Sequence, residues 1–228
     1  MGMLVKICGI TSAEAADAAA RAGADFVGLN FHPASPRNLK LDAARALSER
    51  LRGRVRLVAV LADATDETIA ATISATAPDF LQLHGRETPA RVAEVRARFR
   101  KPLIRAMAIA VASDFALAAA YEESADLMMY DAKAPDGAPR PGGHGVAFDW
   151  QLLRGRSFSR PWLLAGGLSP DNVARAIRSS GAPGVDVSSG VETAPGVKSP
   201  EKIAAFVAEA RNAQYTAASP TPTEEERA

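Results

Sequence analysis

Residues able to do chemistry recur at the ends of successive apolar runs. The one cysteine, Cys8, closes the run Met3–Cys8; Asn30, Asp63, Gln82, His84, Asp131, Asp186 and Ser188 stand at or just past the ends of later runs, and Arg105 lies within another. In an extended strand alternate side chains share a face. Gln82 therefore sides with His84, Met129 with Asp131, and Asp186 with Ser188. Leu4, Lys6 and Cys8 point one way while Val5 and Ile7 point the other, so a cation and a thiol share the less apolar face. Acids, amides and a thiol converging on one rim are hard to explain by packing.

Phosphate is the clearest ligand. Leu164-Ala165-Gly166-Gly167-Leu168 and Val187-Ser188-Ser189-Gly190-Val191 offer small residues whose backbone N–H groups can be approached closely, each ahead of a helical pattern. Gly166, Gly167, Ser188, Ser189 and Gly190 are the expected phosphate-binding residues. Tight turns would account for the glycines of either loop alone, but not for both loops in these two positions.

These side chains need a scaffold that brings every run to the same end. The first run closes on Gly9 and is followed by Thr11 and Ser12, which reads as strand, tight turn and helix cap. Apolar runs then alternate with helical spacing: helix 12–22, strand 24–31, a Pro-rich loop 32–38, helix 41–51, strand 55–61, helix 65–76, strand 80–84, helix 88–99, strand 103–108, helix 112–121 and strand 125–131. A long loop containing Gly142-Gly143-His144-Gly145 is the expected mobile cover, followed by a short helix near 148–153. Strand 161–165, a helix opened by Ser169-Pro170, strand 184–188, a loop 189–198 and a helix from Pro200 to about Arg211 complete the pattern. Eight alternations predict a single-domain α/β protein, a (β/α)8 TIM barrel over residues 1–211, with sites at the C-terminal strand tips. A doubly wound open sheet would want GxGxxG after the first strand, and Cys8-Gly9-Ile10-Thr11 does not supply it. Residues 212–228, rich in Ser, Thr, Pro and Glu, are expected to form a disordered tail.

Composition narrows the partners. A net charge of +1 gives no electrostatic reason to expect nucleic acid or an anionic membrane. No stretch approaches the ~20 apolar residues of a membrane helix. One cysteine permits no internal disulfide, which fits a reducing compartment and a soluble, cytoplasmic protein. Three histidines with no common spacing give no metal signal.

Seven segments in order carry a resemblance: Lys6-Ile7-Cys8-Gly9-Ile10-Thr11; Gly28-Leu29-Asn30-Phe31 running into Ser35-Pro36-Arg37; Gln82-Leu83-His84-Gly85; Asp131-Ala132-Lys133; Gly142-Gly143-His144-Gly145 with Phe148-Asp149-Trp150; Ala165-Gly166-Gly167-Leu168; and Val185 to Glu192. Together they resemble the phosphoribosylanthranilate isomerase family of tryptophan biosynthesis, from Met3 to about Arg211. The resemblance implies an Amadori rearrangement of N-(5-phosphoribosyl)anthranilate to 1-(2-carboxyphenylamino)-1-deoxyribulose 5-phosphate, without cofactor or metal. It implies Asp131 as general acid on the furanose oxygen and Cys8 as the base taking the proton from sugar C2. Arg37 would hold the anthranilate carboxylate, for which a guanidinium fork is well shaped. His84, Asp186 and Gln82 would line the substrate site. The partner implied is this phosphorylated sugar-anthranilate, bound by a monomer or homodimer.

Charge states oppose these roles. Keeping a free Asp protonated at pH 7 costs about 4 kcal/mol and exposing a free thiolate about 2, at about 1.36 kcal/mol per pH unit. On charge alone Asp131 would be the base and Cys8 the acid; Lys6 is the residue placed to lower the thiol. The bland readings are a buried cysteine, a surface Arg37, inert histidines and Asp63 as a helix cap. Rival functions are a Schiff-base aldolase using Lys6 or Lys133, a non-enzymatic sugar-phosphate binder, and an isomerase that also accepts an aminoimidazole ribonucleotide. His144, Asp63 and Ser199 depart from the family's usual residues.

Overall fold

The computed structural model describes residues 2–133 and 148–218. Eight parallel strands, β1 Leu4–Cys8, β2 Phe26–Asn30, β3 Arg56–Leu61, β4 Phe80–Leu83, β5 Leu103–Ile109, β6 Leu127–Ala132, β7 Trp162–Leu164 and β8 Gly184–Val187, form a closed barrel in sequence order. Closure is made by β1, which pairs with β2 through Lys6 opposite Phe26 and with β8 through Lys6 opposite Asp186. The alternation expected from sequence sorts the side chains into two apolar layers. Cys8, Phe26, Val58, Val60, Ile104, Ala106, Leu127, Met129, Leu163 and Ala165 fill the interior. Val5, Ile7, Val27, Leu29, Leu81, Leu83, Tyr130 and Val185 face outward against the helices. Strands buried on both faces are thus near-continuously apolar, as a parallel barrel requires.

The helices are α1 Ala13–Ala22, α2 Leu41–Leu51, α3 Asp66–Thr76, α4 Pro89–Phe99, α5 Asp114–Ala119, α6 Val173–Ser180 and α7 Pro200–Ala218. Ser12, Thr65 and Thr88 accept the N–H of Ala15, Thr68 and Arg91, caps worth about 1 kcal/mol each. They end the connections that follow β1, β3 and β4.

Four features differ from the sequence expectation. The segment between β6 and β7 contains a 3₁₀ turn, Trp150–Leu153, capped by Asp149, rather than an α-helix. After β7 the helix begins at Val173, because Asn172 bonds back to the N–H of Ser169 and the carbonyl of Gly167 and keeps Ser169–Asn172 in a turn. The connection after β8 holds a hairpin, β9 Glu192–Ala194 and β10 Val197–Lys198. The last helix continues past Arg211 to Ala218, since its apolar stripe of Ile203, Phe206, Val207 and Ala210 extends to a buried Ala213. The segment Gly142–Gly145 and the tail beyond Ala218 lie outside the described residues.

Candidate active site

Cys8 ends β1 with its thiol inside the barrel. Beneath it on the same face, Lys6 is completely buried, and its Nζ donates to Asp186 Oδ1 at 2.7 Å across the β1–β8 seam. Burial alone would lower the Lys6 pKa, but Asp186 and Cys8 outweigh it and hold the ammonium above its ordinary value. Burial pushes the Cys8 thiol up; Lys6 pulls it back, by charge and by hydrogen bond, as does Lys198, while Asp186 adds to the rise. The thiol form therefore predominates at neutral pH, with a cation in place to receive a thiolate.

Asp131 is at the tip of β6, buried, with Oδ1 accepting the N–H of Ala132 at 2.8 Å and Oδ2 lying 3.2 Å from His84 Nε2. His84, just past β4, is half-buried; behind it Gln82 is fully enclosed and contacts His84 Nδ1 through Nε2 at 3.2 Å. Gln82, placed among the substrate-binding residues by the sequence reading, thus meets the histidine.

The two small-residue turns are joined to these groups. Gly166 has φ 86°, and a Cβ there would come within 2.6 Å of the Ala132 N and 3.0 Å of Asp131 Oδ1. A Cβ on Gly190 would meet the Leu168 carbonyl oxygen at 1.8 Å, so the two turns touch through a contact only glycine permits. Ser188 Oγ donates to the Cys8 carbonyl at 3.1 Å. Gly166, Gly167, Ser188, Ser189 and Gly190 all keep partial exposure.

Arg37 is buried beside Gly9. Its Nε and Nη2 make a bidentate pair with Glu192 at 2.6 and 2.8 Å, so the Nη1 side of the fork is what a second carboxylate would meet. Glu192 also accepts from Lys198 Nζ at 2.7 Å, and Lys198 reaches the Ser188 carbonyl at 2.9 Å. Burial raises the Glu192 carboxyl, but Arg37 and Lys198 prevail and hold it below the usual range. Sequence reasoning gave Glu192 and Lys198 no role. The signal was a charged pair six residues apart around Gly196, but the hairpin that brings them together has only two cross-strand pairs and no apolar alternation.

Other expected tips lie elsewhere. Arg105 faces outward, donating to Glu87 and to the carbonyls of Leu83 and Gly85. Asp63 accepts the Arg86 N–H, and Thr65, not Asp63, caps α3. Asn30 accepts the His32 N–H, and Lys133 is exposed beyond β6. Among the described residues no group of three or more His, Cys, Asp or Glu side chains is arranged to hold a metal ion, and no helix is long and apolar enough to cross a membrane.

Comparison with known proteins agrees with this geometry. The family model described as N-(5'phosphoribosyl)anthranilate (PRA) isomerase matches residues 5–209. An N-(5'-phosphoribosyl)anthranilate isomerase of Rhodopseudomonas palustris (strain BisA53) is 52% identical over 211 residues, covering 92% of this chain and 97% of that protein. The crystal structure of phosphoribosyl anthranilate isomerase from Thermotoga maritima superposes with a TM-score of 0.83 at 36% identity, covering 92% of this chain and 99% of that one. A phosphoribosyl anthranilate isomerase solved in complex with reduced 1-(o-carboxyphenylamino)-1-deoxyribulose 5-phosphate superposes at 0.79 with 33% identity and the same coverages. The chain therefore belongs to the N-(5'-phosphoribosyl)anthranilate isomerase family.

Proposed function

We propose that the chain catalyses the Amadori rearrangement of N-(5'-phosphoribosyl)anthranilate to 1-(2-carboxyphenylamino)-1-deoxyribulose 5-phosphate in tryptophan biosynthesis. One observation carries the reading at the level of this chain's own residues. Each small-residue turn is seated against one of the two acid–base candidates: Gly166 against Asp131, and Ser188 against Cys8. A phosphate held by Gly166, Gly167, Ser188, Ser189 and Gly190 would fix the sugar between the two groups.

Asp131 donates a proton to the furanose oxygen as the C1–O bond breaks and the anilino nitrogen lone pair forms the iminium. Cys8 removes the C2 proton, and the electron pair moves into an enolamine. Return of a proton to C1 and loss of the C2 hydroxyl proton give the ketone. The isomerisation neither gains nor loses electrons or atoms. Arg37, braced by Glu192, orients the anthranilate carboxylate with the fork edge that Glu192 leaves available. His84 and Asp186 act through their contacts with Asp131 and Lys6.

One proton serves the pair. With free side chains the carboxyl titrates about 4.6 units below the thiol, so the thiolate–carboxylic acid arrangement lies about 6 kcal/mol above thiol–carboxylate. Both arrangements carry the same number of protons, so their ratio does not change with pH between the two titrations. Lys6, ion-paired with Asp186 and charged beside Cys8, lowers this gap by stabilising the thiolate.

Two rivals fit less well. A Schiff-base mechanism needs a neutral amine, whereas Lys6 is held as ammonium. A substrate with a second phosphate would need N–H donors across the barrel, but those of Asp63 and Gly85 are taken by Glu87 and that of Arg86 by Asp63. The test is turnover of freshly made phosphoribosylanthranilate, followed by anthranilate fluorescence. Catalysed loss of the substrate signal is expected; borohydride-trapped protein adduct with a keto-phosphate, and no turnover, would replace the isomerase with an aldolase.

A further inference from the structure

Lys198 is a buried cation whose contacts reach beyond its own hairpin. Its side chain is completely enclosed, and burial holds the ammonium below its ordinary value against the pull of Glu192. Nζ donates to Glu192 Oε1 at 2.7 Å, to the Ser188 carbonyl at 2.9 Å and to Ser188 Oγ at 3.3 Å, so each of its three hydrogens has an acceptor. Lys198 and Glu192 face each other in the hairpin register. A cation that only stapled the hairpin would need the carboxylate alone, yet two of the three bonds go to Ser188.

Those two bonds act on the turn after β8. The C=O and N–H of a planar trans peptide point in opposite directions, so a Ser188 carbonyl tied to Lys198 turns the Ser189 N–H away from the cation. The Val191 N–H reaches the same carbonyl only at 3.4 Å. On the other side, Glu192 Oε1 is shared between Lys198 and Arg37 Nε, at 2.7 and 2.6 Å, while Oε2 accepts from Arg37 Nη2 at 2.8 Å. Contacts of 2.6 to 2.9 Å thus run without a break from the Ser188 peptide through Lys198 and Glu192 to the Arg37 fork. Lys198, Glu192 and Arg37 are all buried, where such contacts are little weakened by water.

We propose that Lys198 is a positioning residue that couples the two ends of the substrate site, so that an anion on the turn 188–190 tightens the grip of Arg37 on a carboxylate. This rests on the reading that places phosphate on that turn and the anthranilate carboxylate on Arg37. An anion on the turn orders the peptide joining Ser188 to Ser189. The ordered carbonyl fixes Lys198, Lys198 fixes Glu192, and Glu192 fixes the plane of the guanidinium. The carboxylate then meets a fork that is already ordered and loses less freedom on binding. The cation also offsets the repulsion between the two anionic ends of one ligand.

The test is linkage between two fragment ligands on the full chain. Anthranilate binding is followed by its fluorescence with and without saturating inorganic phosphate, chloride keeping the ionic strength equal. In wild type, phosphate should tighten anthranilate by about fivefold or more, and by reciprocity anthranilate should tighten phosphate by the same factor. In Lys198→Met, Glu192 keeps its bidentate contact with Arg37, so both fragments should still bind while the factor falls to one or below. Glu192→Gln cuts the chain one link further along and should do the same; it carries the test if Lys198→Met does not fold. KM for phosphoribosylanthranilate, which carries both ends, should rise by about fivefold in each variant, with kcat changed less. A Lys198 with only a structural role would lower the melting temperature and leave the linkage factor at its wild-type value. That result, or a wild-type factor of one with both fragments bound, would overturn the proposal and leave the site reading standing. Failure of wild type to bind either fragment would overturn the site reading itself, and the proposal with it.

Discussion

Lys6 and Asp186 meet at 2.7 Å inside the barrel, one register step below the thiol of Cys8. Two charges this far from water stabilise the fold only as a pair. Lys6→Met should therefore lower unfolding free energy by about 3–5 kcal/mol, because Asp186 is left buried and unpaired. Lys6→Met with Asp186→Leu should recover most of it, as measured by urea unfolding. Equal stability of the single and double variants would show that the pair is not coupled. The Lys6 pKa is raised on folding, so the pair's contribution is complete below the free-lysine value of about 10.4 and is lost as pH rises through the folded value.

Cys8 is a buried thiol whose proton is held more tightly than in a free cysteine. Alkylation by iodoacetamide should be at least about tenfold slower than for a model thiol at pH 8. Lys6→Met removes the cation that favours thiolate and should move the alkylation profile to still higher pH. A profile shifted downward in that variant would contradict the electrostatic role given to Lys6.

Glu192 links Arg37 to Lys198, and its carboxyl is held low by both. A depressed carboxylate contributes stability that is present above its unfolded pKa of about 4.3 and disappears as pH falls through the folded value. Thermal unfolding of wild type should lose stability between about pH 4.5 and 3 more steeply than Glu192→Gln. The same slope in both proteins would remove Glu192 as a linked group.

Arg37→Ala should raise KM while kcat falls less, since in the proposed reading the fork orients the aromatic carboxylate and lies outside the proton path. It also leaves Glu192 with Lys198 alone, so the variant should be destabilised by about 1–3 kcal/mol. Unchanged KM would take Arg37 out of substrate recognition.

Gly190→Ala places a methyl 1.8 Å from the Leu168 carbonyl oxygen, which forces apart the two small-residue turns proposed to hold phosphate. Competitive inhibition by inorganic phosphate should weaken by about tenfold, or 1.4 kcal/mol. Inhibition as strong as in wild type would place the phosphate elsewhere.

The barrel was legible because the strands are near-continuously apolar and several helices open with a side-chain cap, as at Ser12, Thr65 and Thr88. The rim was legible through side-chain parity, which put Cys8, Asp131, Asp186 and the two small-residue turns at one end. Parity also separates Arg105 from its neighbours: it sits on the odd face of β5 with the outward-facing residues and pairs with Glu87 instead of entering the site. Glu192 and Lys198 could not be read, because so short a hairpin is decided by tertiary contact, here Thr11 donating to the Gly196 carbonyl and Arg37 to Glu192. Nor could Gln82's place between His84 and Met129, since the two contacts come from different strands of the barrel.

The acid–base claim is tested most directly by single-turnover and steady-state rates on phosphoribosylanthranilate for wild type, Cys8→Ser and Asp131→Asn. Each substitution should reduce kcat by about 10² or more while the protein still binds phosphate, as expected when an acid or base is removed. Near-wild-type kcat in either variant would contradict the account.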